Sequence, residues 1–129
     1  MTDDQLPRTR GEVTVTVTID DIAQKFTADT TTTGSPVIAT RKLVMAVHGD
    51  AQRYIGDLGD GGDPGQPTGA RRRAAVAASA TADGVTGRVE MDTTTTGSVH
   101  AAASSLVDAF QDELLAWLRS LEETGRYPR

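Results

Sequence analysis

The seven residues from Asp29 to Ser35 read DTTTTGS, and the seven from Asp92 to Ser98 read the same. A string this simple can recur by chance, so the test is whether its flanks recur at the same offset of 63 residues. Upstream, Val13, Thr18 and Asp20 recur as Val76, Thr81 and Asp83, and Ile22, Lys25 and Phe26 face Val85, Arg88 and Val89. Downstream, Ala39, Leu43, Val44, Ala46 and Leu58 recur as Ala102, Leu106, Val107, Ala109 and Leu121, while Tyr54 faces Trp117 and Ile55 faces Leu118. The chain reads as two copies of one unit, residues 11–58 and 74–121. Residues 1–10 and 122–129 are expected to be loose tails. Residues 59–73, rich in Gly, Pro and Asp and ending in an Arg triplet, are expected to link the copies.

Each unit is legible as strand, strand, helix. VTVTVTI at 13–19 alternates apolar and polar residues with period two, the pattern of a half-buried strand. The matching VAASATA at 76–82 is alanine-rich and suggests helix on its own. The repeat overrules that propensity and assigns Val76, Ala78, Ala80 and Ala82 the inward places of Val13, Val15, Val17 and Ile19. Turn residues Asp20-Asp21 and Asp83-Gly84 follow, then a second strand ending in the β-branched TTTT run. Ser35 and Ser98 are N-cap residues, and Pro36 suits a first helical position. An apolar stripe then runs through Val99, Leu106, Phe110, Leu114, Trp117, Leu118 and Leu121, repeated more weakly from Val37 to Leu58.

A single ββα unit of this size buries too little apolar surface to be stable alone. The predicted fold is therefore α+β: an internally duplicated ββα unit giving a four-stranded antiparallel sheet with two helices on one face. The 129 residues, 37% hydrophobic and 24% charged, suit one globular domain. The polar opening MTDDQLPRTR has no apolar run and is expected not to be a secretory signal, and a cytoplasmic location is expected. No stretch suggests a membrane span.

Composition also narrows the chemistry. There is no cysteine, which removes thiol nucleophiles, disulfides and Cys-type metal sites, and two histidines make a His-rich metal centre an unpromising reading. No metal and no cofactor is expected. The net charge of −5 disfavours nucleic acid, and Arg71-Arg72-Arg73 lacks interleaved aromatics and follows Asp57, Asp60 and Asp63. Those three aspartates lack the alternate acidic ligands and closing Glu of a calcium loop. His48 and His100 have no evident nucleophile in a triad-like arrangement, and nothing marks Asp29 or Asp92 as an acid, so no enzymatic activity is expected.

Two candidate sites remain. The outward face of the first strand, Thr14, Thr16 and Thr18, with Thr81 in the second copy, is short of the Lys and Glu that keep open sheets apart. It is expected to be an interface with a protein partner or a second copy, making the chain a small non-catalytic binding or assembly protein that forms a homo-oligomer. A phage or mobile-element accessory protein fits the size and composition. The alternative is a small anionic-ligand or nucleotide-binding module built on the twin junctions Thr33-Gly34-Ser35 and Thr96-Gly97-Ser98, where helix N-termini offer backbone donors. One glycine per copy and no following lysine set these junctions apart from a phosphate loop.

Overall fold

A computed structural model describes residues 9–60, 71–82 and 84–124 of the chain. The element order is β1 (Thr9–Ile19), β2 (Ile22–Thr32), α1 (Pro36–Asp60), β3 (Arg72–Ala82), β4 (Val85–Thr95) and α2 (Val99–Thr124). The strands form one antiparallel sheet in the order β2-β1-β3-β4, so the first strands of the two copies meet at its centre. The duplicated ββα fold is the one expected from the repeat. Four boundaries differ. Thr9 and Arg10 belong to β1, α1 continues through residues 59 and 60, Arg72 and Arg73 belong to β3 rather than to the linker, and α2 continues through residues 122–124. Of the remaining tail and linker residues, Arg71 is described, its Nη1 donating to Thr94 Oγ1 at 3.4 Å, and the others lie outside the described residues.

The internal symmetry can be located from the register. Val15 pairs with Ala78, its own counterpart 63 residues on, so a pseudo-twofold axis crosses the sheet at that pair. The axis carries the ion pair Arg10–Asp29 onto Arg73–Asp92, with N–O distances of 2.6 and 2.7 Å. It also makes the helices antiparallel. Their contacts run in opposite directions along the chain, with Gln52 Nε2 donating to the Ser104 carbonyl at 3.0 Å and His48 Nε2 2.8 Å from Asp108 Oδ1.

Period two does the sorting in the sheet. Val13, Val15, Val17 and Ile19 on β1 are buried, as are Ala74, Val76, Ala78, Ala80 and Ala82 on β3. VAASATA is thus a strand despite its alanines, because the pairing on both sides and the helices above it decide. The helix stripe is Val99, Ala103, Val107, Phe110, Leu114, Leu118 and Leu121, with Leu106 at its margin, and α1 places Val37, Thr40, Val44, Val47, Ala51 and Ile55 to match. The outer strands carry the aromatic cover. Phe26 on β2 meets Tyr54 edge-on at 5.6 Å, and Trp117 lies against Gly87 on β4.

The two copies solve one packing position differently. In the first, Thr40 is fully buried against Gly11, and its Oγ1 has no hydrogen-bond partner among the described residues. A Cβ on Gly11 would sit 2.6 Å from that oxygen. The second copy has Ala74 and Ala103 at the same places, both buried. Replacing Thr40 by Val keeps the shape and removes the orphaned hydroxyl, so a gain of about 1 kcal/mol is expected. Thermal melting measures it; a lower Tm would show that the hydroxyl does useful bonding.

Candidate functional site: the open sheet face

Both helices cover the same side of the sheet, and no other described element covers the opposite side. Rows across that face follow from the registers, read in the order β2, β1, β3, β4. They are Asp29, Glu12, Thr81, Thr86; then Thr27, Thr14, Ser79, Arg88; then Lys25, Thr16, Ala77, Glu90; then Ala23, Thr18, Ala75, Asp92. Pleating turns every second residue of each strand to this side, so the face is a small grid of defined chemistry. The expected contact residues Thr14, Thr16, Thr18 and Thr81 share it, all half-buried by their neighbours.

The centre of the grid is small and uncharged, comprising three threonines of β1 and Ala75, Ala77, Ser79 and Thr81 of β3. The charges stand around it. Without strand order, the alternation along β1 alone suggests a face nearly free of charge. In the fold, β2 and β4 bring Lys25, Asp29, Arg88, Glu90 and Asp92 to its margins, with Arg10, Glu12 and Arg73 at the strand ends. Four cations (Arg10, Lys25, Arg73, Arg88) balance four anions (Glu12, Asp29, Glu90, Asp92), so this face is neutral in a chain of net charge −5.

Some of these charges are satisfied within the chain. Arg10 bridges Asp29 and Glu12, and Arg73 bridges Asp92. Lys25, Arg88 and Glu90 have no ion-pair partner among the described residues. A shallow depression of about 410 Å³ lies on this face, bordered by Thr16, Thr18, Arg73, Ala77, Glu90 and Asp92.

The twin junctions are well-made helix starts. Ser35 Oγ accepts from the Ile38 N–H at 3.3 Å and Ser98 Oγ from the Ala101 N–H at 3.1 Å, while their carbonyls accept the first helical bonds. Thr32 Oγ1 accepts from the Gly34 N–H at 3.0 Å, and Thr95 Oγ1 from the Gly97 N–H at 2.9 Å. Two donors at each junction are therefore already engaged by neighbouring hydroxyls. Thr33, Gly34, Ser35, Thr96, Gly97 and Ser98 are all exposed. The junctions occupy opposite ends of the sheet, since Thr32 pairs with Thr9 and Thr95 with Arg72, and strands of this length separate them by roughly 30 Å. One small ligand cannot bridge both. The first junction borders a depression of about 530 Å³ that includes Lys42, whose counterpart in the second copy is Ser105.

The remaining polar candidates are held in structural contacts. Asp108 Oδ1 accepts from Gln52 Nε2 at 2.9 Å and lies beside His48, and Ser104 Oγ donates to Gln52 Oε1 at 2.7 Å. This cluster clasps the two helices together, and the serine is directed to Gln52 rather than to the histidine. Asp29 and Asp92 are engaged by Arg10 and Arg73. Arg72 donates to Asp20 through Nε and Nη2, at 3.1 and 2.7 Å to Oδ2, and so ties β3 to the first hairpin. Asp20 itself has φ of 58°, a conformation that Asp tolerates better than most residues. No described helix is long and apolar enough to cross a membrane. The chain matches no protein-family model, no curated protein and no solved structure.

Proposed function

We propose that this chain is a small, cytoplasmic, non-catalytic binding or assembly protein whose working surface is the open sheet face. The observation that carries this reading is the arrangement of that face: a flat Thr/Ala/Ser centre ringed by charges of both signs. Specific interfaces have a similar plan, in which an uncharged centre is desolvated and a polar rim sets orientation. The face also lacks what keeps an open sheet solitary, namely charged side chains at its centre. Its mechanism is shape and hydrogen bonding, with Thr14, Thr16, Thr18 and Thr81 as contact residues.

The alternative, anion binding at the junctions, draws on Lys42 beside the first one and on the room at Gly34 and Gly97. An added Cβ there meets nothing closer than 3.5 Å, so neither turn itself demands glycine. It competes with the hydroxyls that already occupy the backbone donors at both junctions. One measurement separates the two readings: a native mass spectrum of the protein isolated gently from its own host, beside an Ala77→Arg variant. A defined oligomer or stoichiometric protein partner that the variant loses is the expected result. A bare monomer, or one carrying a small anion, overturns the sheet-face reading and moves attention to Lys42 and Ser35.

A further inference from the structure

We infer that the occupant of the open face is a second copy of this chain, packed sheet on sheet about a twofold axis parallel to the strands. The inference rests on the sheet-face reading above and adds the identity and register of the partner.

A symmetric interface requires a surface that complements itself under a twofold rotation. An axis parallel to the strands places each residue opposite the partner residue at the other end of its own row. Lys25 and Glu90 terminate one row, Lys25–Thr16–Ala77–Glu90, so the rotation sets each Lys25 against the partner's Glu90. These are two of the charges with no ion-pair partner among the described residues. In the other complete rows Asp29 meets Thr86, Arg88 meets Thr27 and Asp92 meets Ala23, so no like charges oppose one another.

Shape agrees with charge. Thr14 comes opposite Ser79, Thr16 opposite Ala77 and Thr18 opposite Ala75, which sets larger side chains against smaller ones throughout the centre. An axis across the strands would instead put Thr14 on Thr16 and Ala77 on Ser79, crowding one half of the centre and leaving a gap in the other. Packed sheets lie about 10 Å apart, a gap that an extended Lys and Glu span from the margins. Four strands of this length give a face of roughly 600 Å² per copy, so about 1,200 Å² in all, the lower end of specific interfaces. Because the face is neutral, it adds no net repulsion between chains that each carry −5.

The test is sedimentation equilibrium of the full chain and three variants: Lys25→Glu, Glu90→Lys and Ala77→Arg. The wild type is expected to dimerise, and Ala77→Arg to be monomeric. Each charge reversal alone should weaken the homodimer roughly tenfold or more, because it creates two like-charge contacts. An equimolar mixture of Lys25→Glu and Glu90→Lys chains should recover dimer, since both contacts then become opposite in sign. Monomeric wild type overturns the second-copy inference while leaving the face free to bind another protein. A dimer indifferent to Ala77→Arg overturns both the inference and the sheet-face reading. A dimer weakened by Glu90→Lys but not by Lys25→Glu places the axis across the strands and overturns the register. Circular dichroism of each variant confirms that it is folded.

Discussion

Alanine at position 87 is expected to cost about 2–3 kcal/mol of folding stability, although it adds only one methyl group. Gly87 lies on the helix side of β4, and the Trp117 indole rests directly on its backbone. A Cβ built there would stand 2.5 Å from Cε2 and 2.6 Å from Cδ2, which is inside any tolerable contact. The obstacle is a rigid bicyclic ring rather than the end of a flexible chain, so the indole must leave its place or the strand must move. Trp117 is the only tryptophan, and its emission reports this displacement directly as a red shift in the folded variant. Urea unfolding followed by circular dichroism measures the cost. In a Trp117→Leu background the methyl group has room, so the added cost of Gly87→Ala should fall below about 1 kcal/mol. An equal cost in both backgrounds would mean that backbone strain, not the indole, excludes alanine.

The same contact shows how far a repeat can be read. The offset of 63 residues pairs Trp117 with Tyr54 and Gly87 with Gln24. It makes the two aromatics counterparts at inward positions of the pattern, and both pack against the core. It was silent on the contact each makes, because Tyr54 turns to Phe26 while Trp117 takes the space that a missing side chain leaves. Thr40 and Gly11 against Ala103 and Ala74 follow the same rule: positions are shared, but volume is divided differently within each copy. Alternation and duplication together fixed the strands, including the alanine-rich β3 that propensity alone assigns to helix.

The functional face was only half legible. Thr14, Thr16 and Thr18 declare themselves as one face of a strand, but their neighbours depend on strand order and register, which are long-range choices. Only when β3 lies beside β1 do Ala75, Ala77 and Ser79 complete an uncharged centre, and only then do Lys25 and Glu90 terminate one row. The helix clasp was hidden for a different reason. His48, Gln52, Ser104 and Asp108 correspond to Gln111, Leu115, Arg41 and Met45 in the other copy, so a comparison of repeats passes over all four.

That asymmetry between the helices sets the second large effect: Phe110→Ala is expected to cost about 3–5 kcal/mol. Phe110 is completely shielded from solvent and is the largest fully buried side chain among the described residues. Its counterpart in α1 is Val47, also buried, so the second helix supplies most of the volume where the two cross near the pseudo-twofold axis. Removing the ring leaves a cavity walled by a sheet whose own side chains there are Val and Ala, too short to collapse into it. The ring also stands 6.3 Å from that of His48, at a tilt of 46°, so its loss loosens the seat of the histidine that meets Asp108. A cost of this size is a large share of the roughly 5–15 kcal/mol that holds an ordinary domain together. Denaturant unfolding of Phe110→Ala beside Val47→Phe/Phe110→Ala measures it, and the double variant should regain part of the loss by filling the space from the opposite helix. A cost under about 1 kcal/mol would mean that the helices close over the gap, and that the core is less rigidly divided between the two copies than its side-chain volumes imply.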